Sequence, residues 1–251
     1  AGAAAAGGWL LAAHGMAVGA AALAVCLAVI AALPLALRER PGERLLPWTR
    51  GSASEEAVRW QLHGWRDIVG SLRRSILLPA SLAAGAMIYV FRAGEGLLRA
   101  LLPVAAVSQL QWSDSEYSGL MGTAGLVAGA TGMVLAATVI ERIGRLRTVM
   151  GANLLLVALH ATAAADPSLL AVRSLFVGYV VATQVLDVTV AVAILTVFMG
   201  LCWQRVAATQ FTIYLSLANL GYSSGAAVLG PLYERLPLPG VLLALAGLHL
   251  L

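Results

Sequence analysis

The sequence has no lysine and little charge of either sign. Only 11% of its 251 residues are charged, and all 16 basic residues are arginine. Hydrophobic residues make up 60% of the chain, and the mean hydropathy is +0.87. A water-soluble domain of this length could not bury so much apolar surface. The composition therefore excludes an ordinary soluble fold and predicts an integral membrane protein.

Cysteine is also scarce, and the motifs of common enzymes are missing. Cys26 and Cys202 both lie in apolar runs and form no CxxC or metal-ligand spacing, so we interpret them as small packing residues. The sequence has no HExxH, no GxSxG in a strand context and no phosphate-binding GKS/T. We therefore expect neither an enzyme nor a bound metal or cofactor, and the arginine distribution indicates no nucleic-acid-binding face.

Long apolar runs recur along the whole chain. A transmembrane helix needs about 20 such residues, and helix is the state expected because open strands would leave backbone groups unpaired in lipid. We predict spans at roughly 1–14 (partial), 16–37, 76–107, 117–140, 148–165, 169–202, 207–232 and 238–251 (partial). Both ends of the chain fall inside apolar runs, so we expect the first and last helices to be truncated.

One polar segment interrupts these runs and carries half of the arginines, between Arg38 and Arg74. Part of it is amphipathic, which predicts a helix that lies on the membrane surface or is docked beneath the bundle. Its apolar positions are Val58, Leu62, Trp65 and Val69, beside Arg59, Arg66 and Asp67. Arginine-rich loops remain in the cytoplasm, so we place this segment inside the cell.

The turns between the later spans alternate in charge. Those containing "ERIGRLRT" and "CWQRVAAT" are basic, whereas "SQLQWSDSEYS" and "AAADPS" contain acids and no arginine. Only Arg173 and Arg235 lie near outward ends. The positive-inside rule therefore predicts that the basic turns share the cytoplasmic side with the polar segment.

Two stretches resemble known carriers. The turn "ERIGRLRT", with Glu141, Arg142, Gly144, Arg145 and Arg147, resembles the short cytoplasmic loop between the eighth and ninth helices of the major facilitator superfamily. The stretch from Phe198 to Leu232 resembles the AmpG-like muropeptide permeases of that superfamily at the entry to their eleventh helix. The entry residues in this sequence are Ala208, Thr209 and Gln210.

"YVFRAGEGLLRALLP", from Tyr89 to Pro103, is similar to the seventh helix of the same permeases. The resemblance implies an all-α polytopic fold in three parts. Residues 1–37 would end an N-terminal bundle of which about two helices are present, 38–75 would be a cytoplasmic linker, and 76–251 would form the C-terminal six-helix bundle. The missing N-terminal half of the same chain would be its partner in forming the transport path.

Arg92, Glu95 and Arg99 are charged residues inside a predicted span. Their spacing puts them on one face of a helix, and each charge costs about +2.5 to +3.5 kcal/mol at the centre of a membrane helix. Either the face lines a cavity, where an arginine holds an anionic solute and Glu95 modulates that charge or carries a proton, or the three form a structural salt bridge. Arg99, which is nearest the outer end, suits the structural interpretation best.

Asp187 is an isolated acid in the middle of the sixth predicted span, with Gln184 one turn before it. A carboxylate at that depth is a candidate for proton coupling, and the alternative is an acid that only fixes helix packing. Asn219 is a cavity candidate, whereas Gln210 is expected to cap the cytoplasmic end of its helix. His14, His160 and His249 are interpreted as hydrogen-bonded packing residues.

These features together predict a secondary active transporter that works by alternating access. The resemblance implies proton-coupled import of an anionic or amphiphilic solute, with a muropeptide as first choice and a siderophore or acyl-CoA as alternatives. It also implies the bacterial inner membrane. A membrane-embedded scaffold or sensor that retains the fold but does not transport is the competing class.

Overall fold

The structure is a computed structural model that describes residues 2–36, 51 and 64–251. This part of the chain is helical and contains no strand. Its eight α-helices are α1 (Gly2–Ala36), α2 (Trp65–Ile76), α3 (Pro79–Leu110), α4 (Asp114–Ile143), α5 (Arg145–Ala165), α6 (Arg173–Leu201), α7 (Ala207–Arg235) and α8 (Leu238–Leu250). Two short 3₁₀ helices, Pro167–Ala171 and Gln204–Val206, precede α6 and α7.

Four helices of the described residues are long and apolar enough to cross a membrane: Ala13–Leu33 within α1, Ser115–Ile143 within α4, and the whole of α5 and α6. The bent pair of α2 and α3 raises the number to five. Helix α7 is long enough to cross a membrane, but it is too polar to be counted with these four. Helix α8 has only 13 residues. A helix of that length spans about 20 Å, short of the roughly 30 Å hydrocarbon core.

Helix α1 covers the two segments that we predicted at 1–14 and 16–37. It is helical on both sides of Gly15, whose φ of 79° is not helical and marks a break. Of the other helices, α4 packs against it, and most of its described side chains between 13 and 33 are exposed. The break lies at the residue between the two predicted segments, so α1 consists of two helices that meet at Gly15, as predicted.

Helices α3 to α8 pack in a repeating pattern. Helix α3 packs on α7 and α4 packs on α6, while α5 packs on both α6 and α8, and α8 also contacts α3. The set of contacts is unchanged when α3 is exchanged with α6, α4 with α7 and α5 with α8. The contact of α3 with α7 then becomes that of α6 with α4, and the contact of α5 with α6 becomes that of α8 with α3. The six helices therefore behave as two equivalent groups of three.

The contact between α3 and α7 is made close by glycine. A Cβ atom at Gly221 would overlap the carbonyl oxygen of Tyr89, and one at Gly225 would overlap that of Ala93. Small residues four apart let two helix backbones touch in this way. In the small-residue stretch from Gly119 to Gly132, Gly119 and Gly129 face open space, whereas a Cβ at Gly132 would overlap the side chain of Val188 on α6.

Two polar contacts show which turns share an end of the bundle. Arg145 at the start of α5 donates a hydrogen bond to the carbonyl of Thr196 near the end of α6, at 3.2 Å. At the other end Arg173 of α6 pairs with Glu116 of α4 at 3.0 Å and lies 4.6 Å from the ring centroid of Trp112. The basic turns therefore share one end of the bundle and the acidic turns share the other.

Helix α2 lies at the basic end and turns sharply away from α3. The two axes differ by 73°, because the chain is extended at Leu78 and Pro79 starts the next helix. Helix α2 packs on α7 and on the turn Gln204–Val206. Ile68, Leu72 and Ser75 face inward.

The apolar stripe predicted for this helix therefore does not dock as a unit. Trp65 is 81% exposed and Val69 is 57% exposed. The face of α2 that carries Ile68, Leu72 and Ser75 packs against α7, whereas the face that carries Trp65 and Val69 remains exposed. Val58, Leu62 and Arg59, which belong to the same prediction, lie outside the described residues.

Candidate functional site

Arg92, Glu95 and Arg99 come together on one face of α3, as their spacing predicts. Arg92 Nη1 forms an ion pair with Glu95 Oε2, and Arg99 Nε lies 4.0 Å from Glu95 Oε1. The side chain of Glu95 is 13% exposed and those of the two arginines about twice that. A carboxylate held between two guanidinium groups leaves this face with one net positive charge.

The two arginines differ in how firmly they are held. Arg92 pairs with Glu95 and lies 5.0 Å from the ring centroid of Tyr222 on α7, a cation–π contact. Its Nε is buried without a hydrogen-bond partner among the described residues. Among the ion pairs of the described residues, Arg99 forms only the 4.0 Å contact with Glu95. Its side chain is 24% exposed.

The sequence leaves open which arginine holds a solute and favours Arg99 for the structural role. The contacts favour Arg92 for that role instead, because both Glu95 and the Tyr222 ring hold it. Arg99 has guanidinium donors available for a ligand.

Asp187 of α6 faces this charged stripe from across the bundle. It is 3% exposed, and neither of its carboxylate oxygens has a hydrogen-bond partner among the described residues. The charges of Glu95, Arg99 and Arg92 act on it from α3. An ionised carboxylate without direct partners is costly in such surroundings, so this position suits a group that exchanges a proton.

Gln184 and Asn219 occupy different environments. Gln184 is buried one turn before Asp187, and its Nε2 lies 3.7 Å from Met121 Sδ on α4. Asn219 is exposed on α7. Of the two, Gln184 shares the interior of the bundle with Asp187, and Asn219 is available on the surface.

Gln210 holds the turn between α6 and α7 and does not reach the charged stripe. Its Oε1 accepts a hydrogen bond from Trp203 N at 3.0 Å. Its Nε2 donates to Leu201 O at 3.3 Å and contacts Tyr214 Oη at 3.1 Å. Gln210 therefore binds backbone groups at the end of α6 and in the turn after it, whereas its own helix α7 has no side-chain cap at its start. Ala208 and Thr209 beside it are exposed.

The basic turn between α4 and α5 is likewise a connection at the end of the bundle. Gly144 has a φ of 87°, a backbone conformation that favours glycine. Arg145 bonds to α6, and its guanidinium lies against Gly200. Glu141, Arg142 and Arg147 are exposed. Of the residues that carry the resemblance in this turn, Arg145 is the one for which the described contacts include a tie from α5 to α6.

A second group of buried polar side chains joins α5, α6 and α8. Two of its members, His160 and His249, are interpreted from the sequence only as separate packing residues. His160 Nδ1 lies 2.8 Å from Tyr179 Oη, and His249 Nδ1 lies 3.2 Å from Asn153 Oδ1. The two imidazole centroids are 5.2 Å apart. No sequence spacing could reveal this pairing, because its members lie on three helices.

Neither this group nor the charged stripe forms a metal centre, since the described residues contain no group of three His, Cys, Asp or Glu that could hold an ion. No protein-family model, no curated protein and no solved structure matches the chain. The interpretation of the charged stripe and Asp187 therefore depends on their geometry.

Proposed function

We propose that this chain belongs to a secondary carrier of the major facilitator type, which moves an anionic solute by alternating access and couples the movement to protons. The observation that carries the proposal is Asp187, a buried acid with no hydrogen-bond partner among the described residues, placed opposite the stripe of Arg92, Glu95 and Arg99. Ionisable residues inside a membrane bundle are expensive and mark substrate or proton pathways.

The packing of α3 to α8 supports this proposal. Two equivalent groups of three helices are typical of carriers that contain inverted repeats, and such carriers bind their solute near the middle of the membrane. Arg92, Glu95 and Arg99 lie in the middle and second half of α3, and Asp187 lies in the middle of α6. The polar residues therefore sit where a repeat-built carrier would bind its solute.

Each residue has a role in this proposal. Arg99 binds an anionic group of the solute through its available donors. Glu95 and Arg92 form a fixed pair that orients this face and limits its positive charge. Asp187 takes up and releases the coupling proton, and Gln184 and Asn219 supply polar contacts along the path.

The solute class follows from the charge of the site together with the resemblance of α3 and α7 to muropeptide permeases. The available arginine, Arg99, suits a solute that carries a carboxylate. A muropeptide has this feature, and a siderophore or an acyl-CoA is the alternative. The proposed location is the bacterial inner membrane, with the segment 38–75 and the basic turns in the cytoplasm.

Uptake into membrane vesicles that contain the protein tests this function. Labelled muropeptide and labelled siderophore are supplied with and without an imposed proton gradient, and empty vesicles serve as the control. We expect muropeptide to accumulate only when the gradient is present. If correctly inserted protein moves neither solute, the named substrates are wrong. If it also binds no anionic solute, the protein is a scaffold or sensor and not a carrier.

A further inference from the structure

The exposed face of α2 carries a group of residues that the transport site does not use. Trp65, Val69, Arg73 and Arg66 fall within one arc of about 100° around the helix axis. Together with Gly70 they line a shallow surface concavity of about 390 Å³. The apolar arc of α2 is thus wider than the part that the bundle covers.

The orientation of α2 places this face at a membrane surface. Because α2 makes an angle of 73° with α3, it lies nearly parallel to the membrane plane if α3 crosses the bilayer. Trp65 and Val69 are exposed on this helix. Tryptophan is enriched at this depth, where its ring is apolar and its N–H can reach water.

The charges on this face complement a phosphate. Arg66 and Arg73 are two helical turns apart on the same side and flank Gly70, which has no side chain to fill the space between them. Neither arginine forms an ion pair with another described residue. Asp67, the acid of α2, lies about 100° farther round the helix from Arg66.

We infer that this face of α2 is a binding site for an anionic phospholipid. Arg66 and Arg73 hold the phosphate, Gly70 leaves room for the head group, and Trp65 and Val69 contact the first carbons of the acyl chains. The site would fix α2, and through it the end of α7 and the turn Gln204–Val206, to the membrane surface.

Lipid retention tests the inference without any transport measurement. The chain is purified from bilayers of phosphatidylcholine with phosphatidylglycerol, and the phosphatidylglycerol that remains bound is counted by native mass spectrometry. Removing two arginines from an anionic lipid surface should weaken its binding about tenfold to thirtyfold. We therefore expect the double variant Arg66→Gln/Arg73→Gln to lose bound phosphatidylglycerol.

The matched control is Arg142→Gln/Arg147→Gln, which removes two exposed arginines at the same end of the bundle. It should retain the lipid. If both double variants lose the lipid equally, the effect is general surface charge and the site is wrong. If neither loses it, the arginines of α2 do not bind phosphate and the inference fails.

Fluorescence quenching by lipids brominated near the head group tests the position of Trp65. Trp65→Phe should remove tryptophan emission that the brominated lipids quench. Trp112→Phe, which removes a buried indole at the other end of the bundle, should remove emission that these lipids do not quench. If Trp65 is not quenched in the intact chain, another protein segment covers this face. That result would overturn the lipid site and leave the proposed transport function untouched.

Discussion

Gly225 of α7 lies directly against the carbonyl oxygen of Ala93 on α3, and no side chain fits between them. On α3, Arg92 directly precedes Ala93 and Glu95 follows it by two residues, and the ring of Tyr222 on α7 contacts Arg92. The glycine contact therefore sets the distance between the charged stripe and the aromatic ring that holds it. Close helix packing and the proposed site depend on the same few residues.

Gly225→Ala should destabilise the bundle. Its new Cβ would overlap the backbone of Ala93, and overpacking of this kind costs about 1–3 kcal/mol. Thermal unfolding in detergent, followed by circular dichroism, measures the loss. Gly178→Ala on α6 is the control, because a Cβ there meets nothing within 4 Å, and equal melting temperatures for both variants would contradict the contact.

Gln210→Ala should destabilise the turn between α6 and α7. The change leaves the N–H of Trp203 and the carbonyl of Leu201, both part-buried, without their side-chain partner, and each lost hydrogen bond costs about 0.5–1.5 kcal/mol. The same unfolding measurement detects this cost. Thr209→Ala, beside it and exposed, should be close to neutral, so a neutral Gln210→Ala would show that the bonds to the turn contribute little.

The proposed orientation predicts which turns a reagent can reach in intact cells. In a background with Cys26→Ala and Cys202→Ala, Ser115→Cys should react with a membrane-impermeant maleimide from outside. Arg147→Cys should react only after the membrane is permeabilised. The reverse pattern would invert the topology, and labelling of both in intact cells would contradict opposite ends for the two turns.

Arg99 and Arg92 should give different phenotypes. Arg99→Gln removes a charge-assisted bond to the solute worth about 1.5–3 kcal/mol, which weakens binding about 10- to 100-fold without loss of stability. Arg92→Gln should lower stability, since it leaves Glu95 without its closer partner. Equilibrium binding of labelled muropeptide and unfolding measurements separate the two effects.

Arg235→Gln, an exposed arginine at the end of α7, is the control for both variants. It should change neither binding nor stability. A larger loss of binding in Arg92→Gln than in Arg99→Gln, with stability intact, would make Arg92 the arginine that binds the solute.

Much of the fold can be predicted from the sequence, because lipid allows few alternatives to helix and apolar runs mark where the helices lie. The span predicted at 169–202 is observed as α6 (Arg173–Leu201), and its first residues form the 3₁₀ helix Pro167–Ala171 instead. The boundary differs because the side chain of Asp166 accepts a hydrogen bond from Ser168 N and stabilises that short turn.

The site is only partly predictable. Helical spacing places Arg92, Glu95 and Arg99 on one face, and this local geometry needs no knowledge of the rest of the chain. Which arginine is fixed depends on Tyr222, which reaches Arg92 from a distant helix. The pairing of His160 with Tyr179 and of His249 with Asn153 is equally non-local.

Asp187→Asn tests the central claim most directly. The amide has nearly the shape of the acid but cannot release a proton, so the variant should fold normally. In vesicles loaded with muropeptide it should exchange internal for external solute as the native protein does, yet fail to accumulate solute when a proton gradient is imposed. If Asp187→Asn still accumulates solute with the gradient, Asp187 carries no coupling proton and the account is wrong.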